Sequence, residues 1–241
     1  MPPSQPQPQP QTPIQLTIPP TLAPLTIPLS TYLATHTSVH TKKPYTNLAV
    51  GALVFHPPRP SPNTRTKLLL LRRAPTESAF PNLWEVPGGS SDATDPTVLH
   101  SLVREVFEET GMRVTRFLRG VGRGVEFVTP GRKEEERRWM KLSFEVEVLE
   151  IHGGSGHMYG EKDNVAGDGD GDGDGDGEID VEITLDPEEH SEYVWATEQD
   201  IRGDRYSIVT PEQKEIMLEG FKLRTGDSER VKALVDGSKK S

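Results

Sequence analysis

The chain has 241 residues, a formal net charge of −10 at pH 7 and no cysteine. General binding to nucleic-acid polymers requires a basic surface that neutralises phosphates, so this charge argues against that class of protein. The lack of cysteine excludes disulfides and favours an intracellular, cytoplasmic location. No apolar run reaches the ~20 residues that a membrane-spanning helix requires, so no membrane association is expected.

Residues 1–41 contain no Asp, Glu, Lys or Arg and are rich in Pro, Gln and Thr. This composition predicts a disordered, partly polyproline-like tail over residues 1–44. In an alternative interpretation, the Pro-interrupted segment LTIPPTLAPLTIPL packs against the folded domain or binds a partner. One globular domain is expected over residues 45–225, followed by a flexible tail over residues 226–241.

Two strands are predicted at the start of this domain, at Leu48–His56 and Lys67–Arg73. The second is a continuous apolar run of the kind that is buried on both faces of a sheet. It closes with Arg72 and Arg73, which are interpreted either as solvent-exposed anchors or as contacts for a substrate phosphate. A third, short strand is expected at Trp84–Val86, directly before a glycine turn.

The glycine turn leads into a predicted helix with two chemically different sides. At about 100° per residue, one side carries an apolar stripe and the other carries a cluster of carboxylates. The clustered carboxylates are Glu105, Glu108 and Glu109. Asp95 is predicted as the N-cap of this helix, with Pro96 at the first helical position.

Like charges three and four residues apart destabilise a helix, so a positive partner is expected near these carboxylates. Arg104 lies four residues before Glu108 and can orient that side chain. A divalent cation is a second partner, since Mg²⁺ and Mn²⁺ prefer carboxylate oxygens and commonly share their coordination with substrate phosphates. Gly88 and Gly89 would let the backbone approach such an ion closely.

The segment from Gly89 to Met112 resembles the Nudix box, G-x5-E-x7-R-E-U-x-E-E-x-G-U, in which U is a bulky aliphatic residue. The C-terminal half of the box matches throughout, at Arg104, Glu105, Val106, Glu108, Glu109, Gly111 and Met112. The N-terminal half departs twice, because Asp95 replaces the first glutamate and eight residues, rather than seven, separate it from Arg104. In the family that glutamate is usually a structural partner in the loop.

The resemblance implies an α/β fold, a Nudix-type α/β/α sandwich with a mixed β-sheet, over roughly residues 46–225. It also implies a hydrolase that uses Mg²⁺, or Mn²⁺ in its place. The implied metal ligands are Glu105, Glu108, Glu109 and the Gly89 carbonyl, and Arg104 is implied as the residue that orients Glu108. The expected partner is a small molecule, a nucleoside diphosphate linked to another moiety, X, whose phosphoanhydride is cleaved. The oligomeric state stays open.

The general base has several candidates. Glu105 or Glu109 of the box is the first choice. Glu134–Glu136 and Glu188–Glu189, each before a predicted strand, could supply a further carboxylate, although a hairpin tip and a turn are simpler interpretations of these two groups. Two other function classes stay open: a degenerate Nudix domain that binds nucleotides without catalysis, and an interaction protein that uses its proline-rich tail.

The rest of the chain predicts further strands and a closing helix. Thr115–Val128 is interrupted by Gly-Val-Gly-Arg-Gly, which suggests paired strands with a bend. Trp139–Ile151 alternates apolar and polar residues, which indicates a sheet with one solvated face. Further strands are expected at Ile179–Leu185 and Tyr193–Ala196.

Between these strands, a low-complexity insertion over about residues 153–178 contains the repeat GDGDGDGDGDG. This segment has no apolar side chains to bury and repels itself, so it is predicted to be a disordered loop. The closing helix is predicted to start at Thr210, with Pro211 at the first helical position and Gln213 completing a capping box. Its inward face is expected to consist of Ile216, Met217, Phe221 and Leu223.

Overall fold

The computed structural model describes residues 16–56, 65–131, 135–149 and 183–238. The elements in chain order are a 3-10 helix (Pro20–Leu25), α1 (Leu29–Thr35), β1 (Asn47–Val54), β2 (Lys67–Arg73), β3 (Trp84–Glu85), α2 (Val98–Thr110), β4 (Arg113–Pro130), β5 (Glu136–Leu149), β6 (His190–Thr197), α3 (Glu198–Arg202) and α4 (Pro211–Ser238). Among these described elements, no helix combines the length and hydropathy needed to cross a bilayer. The predicted insertion at 153–178 lies outside the described residues.

The described strands form two three-stranded sheets. In the first sheet the order is β1-β5-β4, with β1 parallel to β5 and β4 antiparallel to β5. In the second sheet the order is β3-β2-β6, and all pairs are antiparallel. The first sheet is therefore mixed, and with helices packed on the sheets the chain has the α/β sandwich fold that the sequence predicted.

Two apolar cores hold the sheets and helices together. Leu99, Leu102 and Val106 of α2 pack on the first sheet. Met217 and Phe221 of α4 pack in a second core that includes residues of both sheets. Strand β2 joins the two cores, because alternate leucines of its Leu68–Leu71 run enter different cores and all four are fully buried. The prediction of a strand buried on both faces is confirmed.

The N-terminal segment packs on the domain from Leu16 onward, so the prediction of a disordered tail does not hold for residues 16–44. Leu22, in the 3-10 helix, is buried in the α2 core, and Tyr32, in α1, is buried beside Tyr45. Pro20 lies at the first position of the 3-10 helix, where a missing amide is tolerated, and Leu22 is the buried residue of this helix. Residues 1–15 lie outside the described part of the chain.

Strand β4 is one continuous strand, not two paired strands. Gly122 and Gly124 have φ of +71° and +86°, and the register between β4 and β5 shifts between Val121 and Val125. These glycines therefore bend the strand through an irregularity of the β-bulge type without ending it. A Cβ on Gly122 would lie 2.2 Å from Cδ1 of Ile216, so glycine also lets α4 approach the strand.

Most of the polar side of β5 is buried, which contradicts the prediction of a solvated face except at Glu147, near the end of the strand. Lys141, Ser143 and Glu145 alternate with apolar residues as predicted, yet each is at most 8% exposed. Glu145 forms ion pairs with Arg119 of β4 at 2.9 Å and Arg224 of α4 at 2.7 Å. Because α4 and the second sheet cover this face, its polar side chains pair with charged groups rather than with water.

Helix α4 begins as predicted at Pro211, and the Gln213 amide donates to Oγ1 of Thr210 at 3.2 Å. Oε1 of Gln213 has no hydrogen-bond partner among the described residues, so the predicted capping box is only half formed. The helix continues to Ser238, into the segment 226–241 that was predicted to be a flexible tail. The prediction of a strand over 179–185 is not supported in its described part, since residues 183–185 have no strand assignment. The predicted strand at Tyr193–Ala196 lies within β6.

Candidate functional site

The glycine turn after β3 lies against β1, and the backbone of β1 excludes a side chain at Gly88, while a side chain at Gly89 would displace the Glu105 carboxylate. Gly88 has a φ of +142°, and a Cβ there would lie 2.2 Å from the Val50 carbonyl oxygen. A Cβ on Gly89 would lie 2.6 Å from Oε2 of Glu105. The Gly89 carbonyl accepts a hydrogen bond from the Val50 amide at 2.9 Å, which leaves this carbonyl a second lone pair.

Helix α2 begins later than the sequence predicted. Its N-cap is Thr97, whose side chain accepts a hydrogen bond from the His100 amide. Asp95 and Pro96 precede the helix, so the prediction of Asp95 as N-cap is wrong. The physical reason is that the Asp95 carboxylate binds an arginine side chain instead of the helix amides. The helix ends at Gly111, which has a left-handed φ of +72°.

Arg104 is the centre of a carboxylate cluster at the start of α2. Its guanidinium donates to Asp95 at 2.9 and 3.0 Å, to Glu105 at 2.9 Å and to Glu108 at 2.8 Å. It also donates to the Ser90 carbonyl at 3.0 Å. Burial raises the pKa of Asp95, but hydrogen bonds from Arg104 and the Asp92 amide outweigh this effect and hold the pKa below its ordinary value. The contact by which Arg104 orients Glu108 is present.

Glu109 is the most deeply buried carboxylate of the box. Only 3% of the residue is exposed, and its Oε2 accepts a hydrogen bond from the Gly88 amide at 2.7 Å. Burial raises the pKa of Glu109 well above its ordinary value, and the negative charge of Glu85 acts in the same direction. Burial also raises the pKa of Glu105. Both groups would therefore be stabilised in their charged form by a nearby cation.

Glu85 lies next to this pair but is fully compensated by positive groups. It forms ion pairs with Arg73 and with Nζ of Lys141, the latter at 3.8 Å. Burial raises the pKa of Glu85, but His190, Lys141 and Arg73 outweigh burial and bring it to about 2. Arg73 thus binds carboxylates inside the domain, whereas neighbouring Arg72 pairs with Glu192 on the surface.

Two further residues join the site, Glu189 from the turn before β6 and His190 from the start of β6. One ligand-type atom from each of Glu109, Glu189 and His190 lies within 4.8 Å of the other two. Nε2 of His190 is 3.7 Å from Oε1 of Glu85 and 3.9 Å from Oε1 of Glu109. Glu189 is exposed at the mouth of this group, whereas His190 is buried.

The structure therefore brings together only part of the residues that the sequence singled out. Glu105, Glu109 and Gly89 meet at the glycine turn, while Glu108 lies on the exposed side with Arg104. Of the other acidic groups, Glu189 reaches the site. Glu135 and Glu136 lie at the hairpin end of β4 and β5, away from it, and Glu134 is outside the described residues.

Sequence reasoning missed three residues of the site, Glu85, Lys141 and His190. Glu85 directly precedes the glycine turn in the sequence, which was the signal available for it. The other two come from strands β5 and β6, and only the strand pairing brings them to the turn. Their position therefore depends on long-range register, which a sequence pattern does not reveal.

Comparison with known proteins adds the following similarities. Residues 47–156 match the family model of the NUDIX domain. The m7GpppN-mRNA hydrolase NUDT17 of Danio rerio is 45% identical over 49 residues, which are 20% of this chain and 16% of that protein. The MutT protein from Methanosarcina mazei Go1 is 22% identical, with 76% of this chain and 97% of that chain covered at a TM-score of 0.44. A C. elegans Ap4A hydrolase, solved as a binary complex, is 13% identical, with 75% and 99% covered at a TM-score of 0.44.

The chain spans about a sixth of the length of the curated relative, so that protein's activity does not transfer by itself. The family match is independent of this short alignment, and it contains the glycine turn, α2 and the first three strands. Within it, the second half of the box is complete from Arg104 to Met112. Residues 47–156 of this chain are therefore similar to the NUDIX domain, the family that the sequence motif indicated.

Proposed function

We propose that this protein hydrolyses the phosphoanhydride of a nucleoside diphosphate linked to another moiety, X, with Mg²⁺ or Mn²⁺. One observation carries the proposal: carboxylates from two distant parts of the chain converge on the glycine turn. Glu105 and Glu109 come from α2, and Glu189 comes from the turn before β6. A phosphoanhydride resists attack mainly because its negative oxygens repel a nucleophile, so a site for this reaction needs local positive charge.

The residues present fit a hard divalent cation. Among the described residues, no Lys or Arg forms an ion pair with Glu109 or Glu189. The pKa of Glu109 and that of Glu105 are both raised by burial, so a cation would favour the charged form of each. Carboxylate and carbonyl oxygens are the ligands that Mg²⁺ and Mn²⁺ prefer. We therefore assign Glu105, Glu109 and the Gly89 carbonyl as ligands.

When bound, the metal supplies charge that neutralises the phosphates and lowers the pKa of a water molecule. Glu108 is proposed as a ligand on the solvent side of the site, where more than half of its side chain is exposed. Arg104 bridges Glu105 and Glu108 and keeps both carboxylates in one orientation. Asp95, at the position of the family's first glutamate, anchors Arg104 from the loop.

Glu189 is our candidate for the general base. Its side chain is exposed and forms no ion pair in the described part of the chain, so it is available to accept a proton from water. Glu105 and Glu109 are the alternatives within the box. They suit the role less well, because a carboxylate that binds a divalent cation is a weaker base.

The inserted residue before Arg104 does not disrupt the box. In the loop, the Asp92 amide donates to Oδ2 of Asp95 at 2.8 Å, and Nε of Arg104 donates to Oδ1 of Asp95 at 2.9 Å. The shorter acid thus keeps its contact with the arginine despite the longer loop. This geometry favours an enzyme over a noncatalytic nucleotide-binding module.

The test is a substrate screen with purified full-length protein in Mg²⁺, Mn²⁺ or EDTA. The panel comprises dinucleoside polyphosphates, nucleotide sugars, ADP-ribose, dinucleotide cofactors, coenzyme A and oxidised nucleoside triphosphates. It also includes the cap analogue m7GpppG, because the Danio rerio relative is named for a capped mRNA. Metal-dependent release of a nucleotide from any compound supports the proposal, whereas binding without turnover across the panel supports the binding module.

Glu109→Gln is the sharpest variant for this screen. The change removes the buried charge but keeps the volume and an acceptor for the Gly88 amide, so the fold should persist. We expect turnover to fall on the order of a hundredfold or more. Glu147→Gln, on the exposed edge of β5, is the matched control and should keep wild-type turnover. Near wild-type activity in a folded Glu109→Gln protein would remove this residue from the site.

A further inference from the structure

His190 is the buried residue of the site to which the proposed function gives no role. Only 2% of it is exposed, and in the described part of the chain neither ring nitrogen has a hydrogen-bond partner. A buried polar group without a partner destabilises the folded state, so native structures rarely keep one without a reason. The unpartnered imidazole therefore indicates that His190 binds a ligand that is not another side chain of the protein.

The distances from Nε2 of His190 to the neighbouring carboxylates are too long for direct hydrogen bonds but fit a metal ion between these groups. Its Nε2 lies 3.7 Å from Glu85 and 3.9 Å from Glu109, beyond the ~3.2 Å limit of a good hydrogen bond. A metal ion that binds nitrogen and oxygen at about 2.0–2.2 Å can join ligand atoms up to ~4 Å apart. The exposed Glu189 lies within the same group and closes it on the solvent side.

The pairing of β6 with β2 places His190 in this position. Arg72 pairs with Glu192, but Arg73 pairs with His190, so Ser191 is an extra residue in β6. Such a bulge re-aims the side chains on either side of it and is common next to active sites. It turns His190 into the site and leaves Glu189 at the mouth.

The charges around the imidazole are unequal. Glu85 is already paired with Arg73 and Lys141. Among the described residues, Glu109 and Glu189 have no comparable basic partner. The uncompensated charge thus lies on the side of His190 that faces these two carboxylates, which is where a cation would be stabilised.

We propose that His190 is a direct nitrogen ligand of the divalent metal that Glu109 binds, with Glu189 beside it at the mouth of the site. The inference deepens the proposed function and rests on it for the presence of a metal. Mg²⁺ is usually bound by oxygen ligands alone, whereas imidazole suits transition metals. This ligand therefore gives the site a preference for Mn²⁺, or another transition metal, over Mg²⁺.

Pulsed electron paramagnetic resonance of the substrate-free, Mn²⁺-loaded full-length protein tests the assignment directly. We expect ¹⁴N coupling from a bound histidine nitrogen, which changes to ¹⁵N coupling when the protein is labelled with ¹⁵N-histidine.

His190→Asn should remove the coupling and weaken Mn²⁺ binding by about ten- to hundredfold. Mg²⁺ binding should change by less than about threefold, since Mg²⁺ gains little from the imidazole. His100→Gln, in the first turn of α2, is the control and should keep both properties.

The outcomes separate this inference from the proposed function. Bound Mn²⁺ without histidine coupling, or coupling that persists in His190→Asn, overturns the ligand assignment, and metal-dependent turnover by the wild type would still uphold the hydrolase. Histidine-coupled Mn²⁺ in a protein that turns over no substrate upholds the assignment and overturns the hydrolase. If His190→Asn does not fold, His190→Gln replaces it in the same measurement, and histidine coupling that persists there overturns the assignment.

Discussion

The three carboxylates of α2 lie in different environments, although their spacing in the sequence is that of a single cluster. Glu109 is buried at the glycine turn, Glu105 lies against Gly89, and Glu108 is on the exposed side with Arg104. Helical periodicity predicts correctly that they share one side of α2. Their burial depends on how α2 rotates against the turn, which is a tertiary property and has no local signal.

Replacing Gly89 tests whether the close approach of the Glu105 carboxylate to the backbone is needed for turnover. In Gly89→Ala the new methyl group would meet Oε2 of Glu105 at 2.6 Å, and this flexible side chain would move aside. We expect turnover to fall at least tenfold while the melting temperature stays within a few degrees. Gly226→Ala, which has nothing within 4 Å of its new Cβ, is the control and should keep full turnover. Wild-type kinetics in Gly89→Ala would contradict a role for this contact.

Glu109 gives the stability of the metal-free protein a pH dependence of definite sign. Burial raises its pKa well above the ordinary value of 4.5, so the folded state holds the proton more tightly than the unfolded state does. The stabilisation is complete below the unfolded pKa and is lost as the pH rises through the raised value. We expect the melting temperature in EDTA to fall through this window relative to that in Mn²⁺, because metal binding stabilises the charged form.

Melting curves between about pH 5 and about pH 8 measure this effect. The difference between the Mn²⁺ and EDTA curves should widen as the pH rises. Glu109→Gln cannot ionise at this position, so its EDTA curve should lack this contribution. A difference that is the same at every pH in the wild type would show that the carboxylate is already charged without metal.

Among the secondary-structure elements, those with a local pattern were predictable. The Leu68–Leu71 run predicts β2 with its observed bounds, and Thr210 predicts the start of α4. The burial of an element was not predictable where the segments that cover it are distant in the sequence. The polar residues of β5 alternate as on a solvated face, but α4 and the second sheet cover them. The N-terminal 3-10 helix has a disordered composition and is stabilised by contacts with the α2 core.

Replacing Leu22 tests how much the N-terminal segment stabilises the domain. Its side chain is 6% exposed and belongs to the same core as Leu102 and Phe117. Leu22→Ala should lower the free energy of unfolding by about 2–5 kcal/mol, because it leaves a cavity beneath the 3-10 helix. Denaturant titration measures the change. Thr21→Ala, exposed in the same helix, should change stability by less than about 0.5 kcal/mol. Equal stabilities for the two variants would mean that the segment is detached in solution.

At the scale of the whole molecule, Glu145 and its two arginines connect the first sheet to α4, while β2 connects the two cores. This arrangement encloses the site between elements from both halves of the chain. The insertion over about residues 153–178 lies outside the described residues, and its role stays a prediction from composition.

Replacing residues 153–178 by a short Gly-Ser linker should leave turnover unchanged and alter stability by about 1 kcal/mol or less. The free energy of closing a loop depends only logarithmically on loop length, so a shorter connection should have a small effect. Steady-state kinetics and thermal melts of the shortened protein check this expectation. Loss of most activity with an unchanged melting temperature would indicate that the insertion contacts the substrate.

The parallel pairing of β1 with β5 also determines when the protein can fold during its synthesis. Asn47 pairs with Trp139, so the ribosome must release most of the chain before β1 gains this neighbour. Until then the nascent chain presents the apolar segment LAVGALV without its partner, a state that favours aggregation. Production of the protein should therefore depend more on chaperones and on growth temperature than its final stability alone would suggest.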